Sequence, residues 1–294
     1  MEREVRDVKI AVIGGDRRAA LLAELLSREG QRVHSFALEK VPLPAGITKD
    51  NCLTACIYAA ELIVLPVPAE KGSLLNTPLS ESPVPLRELW AALWPGQLVV
   101  GGGFGEESAE LALRGKLEVR DLLRRPGFVT ENAALTAEAA VGLLLRESER
   151  CLRGARCLVL GFGRIGKLLA LRLNALGARV CVAARREADR ALAGALGLEA
   201  LAFPELEGQV GDFACIVNTI PAPVLGGAAL CCVSSDALLL ELASAPGGFD
   251  RELAANIGLR VLHAPGLPGR AYPLSSAELL KREIEAIWKE EQHG

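Results

Sequence analysis

The chain has 294 residues, half of them apolar and 23% charged, with a net charge of −3. That is the composition of a folded globular chain of about two domains, and it excludes disordered and fibrous sequence. Near-neutrality without a like-charged block removes the electrostatic case for nucleic acid or an anionic membrane surface, and no uncharged apolar run approaches the ~20 residues of a spanning helix. The opening MEREVRDVKI mixes charge signs and lacks the apolar core of a signal peptide, so a cytoplasmic address is expected. The eight cysteines form no Cys-x-x-Cys pair and, with three histidines, no zinc-ligand spacing. They read as reduced structural thiols, and no metal is expected.

Strands alternate with amphipathic helices, the pattern of parallel sheets covered by helices. Residues 8–14 (VKIAVIG) read as a buried strand, 17–29 as a helix ended by Gly30, and 32–36 as the next strand. Residues 61–66 and 98–101 are further strands, separated by a Pro-rich excursion from Pro66 to Pro85 that reads as a surface loop. An Ala-rich helix runs over 130–149. A second series follows, with strands at 156–160, 178–184, 213–218, 237–242 and 259–263, a helix at 166–176, and a terminal amphipathic helix over 275–291 whose apolar side carries Ile284, Ile287 and Trp288. The expected fold is α/β: two Rossmann-like doubly wound parallel-sheet domains with a cleft between them. The first spans 1–140 and is rejoined by the helix at 274–294. The second spans 141–273.

The strongest local signal is CLVLGFGRIGKLLALRLNALGARVCVAARR, residues 157–186. Gly161, Gly163 and Gly166 form G-x-G-x-x-G between a strand and a helix, with Phe162, Arg164 and Ile165 filling the turn. The first glycine permits the tight turn, the second admits a pyrophosphate to the backbone, and the third lets the helix pack on the sheet. The following strand ends Ala183-Ala184-Arg185-Arg186 with no acid to hold a ribose 2′-hydroxyl. Two arginines there suit a 2′-phosphate, so NADP is favoured over NAD. Asn218, Thr219, Ile220 and Pro221 follow one later strand, and Glu241, Leu242, Ala243 and Ser244 the next. They are candidates for the nicotinamide ribose, or ordinary turns. The loop from His263 to Arg270 alternates Pro and Gly and is placed beside the nicotinamide, with Gly266 at the cofactor.

In the first half, Gly14-Gly15 also links a strand to a helix, but Asp16, Arg17 and Arg18 fill the turn. Charged side chains there crowd a pyrophosphate and suit a small anion, unless Asp16 caps the helix and the arginines are solvated. Thr136 and Glu138 either face the gap between domains or cap and solvate their helix.

These residues resemble a known family. KIAVIGGDRR (9–18), TAEAAVGLLL (136–145), LVLGFGRIGK (158–167), GARVCVAAR (177–185), NTIPAPVL (218–225), LELASAPGGFD (240–250) and APGLPGRAYP (264–273) together resemble the A subunit of dipicolinate synthase over nearly the whole length. The glycine fingerprint alone suits alanine, shikimate or 2-hydroxyacid dehydrogenases equally well. The GGD-x-R start combined with LELASAPGG and APGLPG is narrower. The resemblance implies NADP-dependent oxidation of dihydrodipicolinate, or of a hydroxy-tetrahydro precursor that loses water, to dipicolinate. It also implies a partner, the flavoprotein-like B subunit of dipicolinate synthase, and the mother-cell cytoplasm during sporulation as setting. A homo-oligomer is expected.

That chemistry needs cations for two substrate carboxylates, for which Arg17, Arg18 and Arg270 are the candidates with Gly15 and Thr136 beside them. It also needs a group that takes a proton or expels water, for which Asp16, Glu138 and His263 are the candidates. The alternatives are an NADP-dependent reductase of another small imino or keto acid, or a non-catalytic nucleotide-binding protein that orders or regulates its partner.

Overall fold

A computed structural model describes residues 8–293. In chain order the elements are β1 (Lys9–Ile13), α1 (Arg17–Arg28), β2 (Arg32–Phe36), β3 (Ile47–Lys49), α2 (Leu53–Ile57), β4 (Leu62–Val64), β5 (Glu70–Lys71), β6 (Leu74–Leu75), α3 (Leu86–Ala92), β7 (Leu98–Gly101), α4 (Glu106–Arg114), β8 (Glu118–Asp121) and α5 (Pro126–Glu147). There follow β9 (Arg156–Leu160), α6 (Arg164–Ala175), β10 (Arg179–Ala183), α7 (Glu187–Ala195), β11 (Glu199–Leu201), β12 (Cys215–Asn218), α8 (Gly227–Cys231), β13 (Leu238–Glu241), α9 (Arg251–Asn256), β14 (Arg260–His263), α10 (Leu267–Ala271) and α11 (Pro273–His293).

Two compact units result. One runs to Asn132 and resumes at Tyr272, and the other is Ala133–Ala271. Each holds a six-stranded parallel sheet, in the orders β3-β2-β1-β4-β7-β8 and β11-β10-β9-β12-β13-β14. Both are the doubly wound 3-2-1-4-5-6 arrangement, which turns at its centre and gathers ligand-binding turns at the carboxyl ends of the strands. Covered by helices on both faces, β1, β12 and β13 are buried at every position. Each unit has its own apolar core: Ile13, Ile63, Leu89, Trp90 and Val99 are among the buried residues of the first, and Leu160, Val210, Phe213, Ile216 and Leu239 of the second.

In the first unit α11 packs along α1, burying Ala277, Leu280, Ile284, Ile287 and Trp288 against a helix that itself buries Ala19, Leu22, Ala23 and Leu26. Arg125 donates to Glu283 at 2.9 Å and to Glu290 at 2.8 and 2.9 Å, holding the Glu290 carboxyl below its ordinary range.

Three departures from the sequence expectations stand out. The Pro66–Pro85 segment is no surface loop. It contains the β5–β6 hairpin, and Val67, Ala69, Leu75 and Val84 are buried. The long helix α5 begins at Pro126, four residues early, because proline at the first helical position loses no hydrogen bond. The Pro/Gly path after β14 closes into the short helix α10, with Pro268 in its first turn where a missing N–H costs nothing. By length and composition α5 could cross a membrane, with a mean hydropathy of 1.3 over its most apolar stretch. Ala133, Ala137, Ala140 and Leu144 are buried within the protein, and 44% of the apolar stretch is buried in all.

Candidate nucleotide-binding turn and its surroundings

The turn from β9 into α6 gives its three glycines different tasks. Gly161 adopts φ +98°, and a Cβ there would stand 2.6 Å from Thr219 Oγ1, which itself donates to the Leu160 carbonyl at 2.8 Å. A Cβ on Gly166 would stand 2.1 Å from the Gly161 carbonyl oxygen, so only glycine lets α6 come this close. Gly163 is the N-cap of α6, is exposed, and a Cβ built on it meets nothing within 4 Å. No side chain caps this helix. The first backbone N–H groups of a twelve-residue helix, with its positive dipole end, are therefore left to an incoming anion. Phe162 is buried, Ile165 half-buried and Arg164 exposed beside this opening. Lys167, which the spacing of the motif does not single out, stands one turn on with its ammonium 5.5 Å from the Phe162 ring centroid.

At the end of β10 the buried Ala183 and Ala184 give way to the exposed Arg185 and Arg186. Arg186 is already engaged. Its Nε and Nη2 donate to Asp189 at 2.8 and 2.9 Å, and this pairing holds the Asp189 carboxyl below the usual carboxylate range. The expected two-arginine fork thus presents Arg185 directly and Arg186 only through an exposed pair. Arg190 fastens the loop from beneath by donating to the carbonyls of Ala184 and Arg185, both at 2.8 Å.

On the other side of β9 the strand ends fall in register, with Asn218 beside Leu160, Glu241 beside Asn218 and His263 beside Glu241. Asn218 is completely buried and Glu241 is 1% exposed. Asn218 Nδ2 donates to Glu241 Oε1 at 2.7 Å and to the Ile220 carbonyl at 2.8 Å. Glu241 also accepts the backbone N–H groups of Ala243 at 3.0 Å and Gly248 at 2.7 Å. Around this node Thr219 is half-buried and Ala243 buried, while Pro221, Ser244, His263, Gly266 and Arg270 are exposed. The sequence offers Glu241 only as the first residue of the 241–244 turn flanking the nicotinamide ribose, not as a buried hydrogen-bonding node. Its signal is a lone carboxylate closing the otherwise apolar strand LLLE, since a buried carboxylate must be partnered.

The first unit's turn is built differently. Gly14 and Gly15 also have positive φ, +66° and +99°. The Gly14 N–H donates to the Phe36 carbonyl at 2.9 Å just as the Gly161 N–H donates to Ala183 at 2.9 Å, but the Gly15 N–H is spent on the Asn76 carbonyl at 3.0 Å, from the Pro66–Pro85 segment. Asp16 caps α1 by accepting the Arg18 N–H at 3.0 Å, and its carboxylate is gripped by the Arg18 guanidinium at 2.9 Å through both Nε and Nη2. Arg18 Nη2 also donates to the Val67 carbonyl at 2.6 Å. Asp16 and Arg18, expected from the sequence as a base and a carboxylate clamp, are therefore each other's partners and fasten the segment that covers them. The space left beside Gly14–Arg18 is about 20 Å³, room for about one water. Arg17 is exposed.

Thr136 is buried and Glu138 exposed on α5. A cavity of about 490 Å³ opens elsewhere in the first unit, bounded by residues 35–39, 43, 49–51 and 80–84, and none of the sequence-nominated site residues lines it. Among the described residues no three His, Cys, Asp or Glu side chains gather as a metal site.

Comparison with known proteins supplies the context. The family model for the N-terminal domain of the dipicolinate synthase A subunit matches residues 9–123. The A subunit of dipicolinate synthase from Bacillus subtilis (strain 168) is 30% identical over 288 residues, spanning 97% of this chain and 97% of its own. The crystal structure of the Bacillus subtilis protein superposes with a TM-score of 0.83 at 29% identity, covering 97% of each chain. The crystal structure of its counterpart from Bacillus halodurans gives 0.86 at 24% identity over 96% of this chain and 98% of that one. A transhydrogenase from Sinorhizobium meliloti shares the fold with a TM-score of 0.67 at 16% identity, over 95% of this chain and 92% of that one.

Proposed function

Because the chain belongs to the dipicolinate synthase A-subunit family, we propose that it uses NADP to oxidise dihydrodipicolinate, formed by water loss from a hydroxy-tetrahydro precursor, to dipicolinate. The observation that carries this reading is the turn at 161–166, where Gly163 is open and α6 has no capping side chain. Those features fit a pyrophosphate, and in a 3-2-1-4-5-6 sheet the adenosine half lies toward β10 and the nicotinamide half toward β12 and β13. Arg185, at a strand end without an acid, favours a 2′-phosphate.

NADP, when bound, accepts a hydride from the ring carbon. The protein's own part is to hold the dihydropyridine ring against the nicotinamide and to receive the proton released as the ring becomes aromatic. In this reading the exposed Arg270 meets a substrate carboxylate, and His263 or Glu138 takes the proton. The same proposal includes the flavoprotein-like B subunit of the synthase as partner and the mother-cell cytoplasm of a sporulating cell as its setting.

The test is incubation of the purified full chain with NADP and freshly made dihydrodipicolinate, with and without the flavoprotein-like partner. The expected result is pyridine dicarboxylate absorption rising one-to-one with NADPH. Absence of the pyridine product under both conditions would sink the proposal.

A further inference from the structure

Glu241 is nearly inaccessible at the end of the otherwise apolar strand β13. Its side-chain hydrogen bonds run to Asn218 at the end of the neighbouring strand β12 and to the loop that follows its own strand β13. Oε1 accepts from Asn218 Nδ2 and from the Ala243 N–H, and Oε2 accepts from the Gly248 N–H. The two glycines of the following loop are packed onto this node. A Cβ on Gly247 would lie 2.8 Å from Glu241 Oε2, and one on Gly248 would lie 2.4 Å from the Asn218 amide. The Gly248 carbonyl in turn accepts the N–H groups of Val224 and Leu225 at 3.2 and 3.1 Å. One buried carboxylate therefore ties together three segments at the carboxyl edge of the sheet: 218–220, 224–225 and 243–248.

We propose that Glu241 is a positioning residue: acting through Asn218 and the 243–248 loop, it shapes the part of the edge that receives the nicotinamide half of the dinucleotide and leaves the adenosine half untouched. The inference rests on the nucleotide reading above and adds a residue and a division of labour to it. A carboxylate is required because only an acceptor-only group can satisfy two backbone N–H groups and an amide NH₂ at once. In Glu241→Gln one amide nitrogen must face a buried N–H, a donor against a donor.

The test uses the full chain and two ligands, NADP and 2′,5′-ADP, the second lacking the nicotinamide half. With Glu241→Gln, NADP should bind about tenfold more weakly while 2′,5′-ADP stays within about twofold of wild type. Amide hydrogen exchange at Ala243, Gly247 and Gly248 should quicken about tenfold or more, with β9 and α6 unchanged. Gly248→Ala, which pushes on the same node from the loop side, should give the same split and serves if Glu241→Gln does not fold. Equal loss of both ligands, equal retention of both, or unchanged exchange at those amides would overturn the inference. If the wild-type chain binds neither nucleotide, the proposed function fails and takes the nicotinamide role with it, while the exchange result still decides whether Glu241 orders the loop.

Discussion

The β1–α1 and β9–α6 turns start from the same materials: an apolar parallel strand, a strand-ending glycine at positive φ, and a helix of twelve residues. They differ in who takes the helix's first N–H groups. At α1 the Asp16 side chain takes the Arg18 N–H, and just ahead of the helix the Asn76 carbonyl takes the Gly15 N–H. At α6 the cap is Gly163, which has no side chain to offer. A capping side chain and a phosphate compete for the same donors. A glycine-rich turn is thus a ligand site only where the protein has left the donors unspent.

This contrast can be broken by substitution, most severely at Gly166. Gly166→Ala places a methyl group against the Gly161 carbonyl at 2.1 Å. Denaturant unfolding should show a loss of about 3 kcal/mol or more. A variant as stable as wild type would mean that the turn is not the tight strand–helix junction described. On the other turn, Arg18→Ala removes the bonds to Asp16 and Val67. It should cost about 1–3 kcal/mol in thermal or denaturant unfolding and leave NADP affinity unchanged. A raised substrate requirement without loss of stability would instead return Arg18 to the role of substrate ligand. Smaller still is the effect at the end of β10. Arg185→Ala should reduce the preference for NADP over NAD by about tenfold. Arg186→Ala, which breaks an exposed pair with Asp189, should alter it by about threefold or less. A reversed order in paired NADP and NAD titrations would show that the Asp189 pair opens to the ligand.

The same contrast marks what is legible in the sequence. The central strands are readable because both faces are covered and their residues are uniformly apolar. The edge strands β3, β8 and β11 are not, since ITK, EVRD and EAL are short and carry charged residues with no alternating pattern. The prolines of 66–85 announce irregular backbone but not that Val67, Ala69, Leu75 and Val84 turn inward among them. At the site, the glycine triad and its separate tasks can be read from spacing. The commitments of Arg18 to Asp16 and of Arg186 to Asp189 cannot, because a long side chain's partner is set by local geometry two or three residues away. Nor can the role of Glu241, since a strand-ending glutamate looks solvated until the loop above it is known to fold back.

The central claim is that Gly163 is open because a phosphate belongs there, and calorimetric titration of NADP into the wild-type chain and Gly163→Ala tests it most directly. The added methyl meets nothing within 4 Å and the backbone lies at φ −75°, so the variant should melt within about 2 °C of wild type. The account predicts that wild type binds NADP and that the variant binds it at least about tenfold more weakly. Equal affinity in the two chains would contradict it.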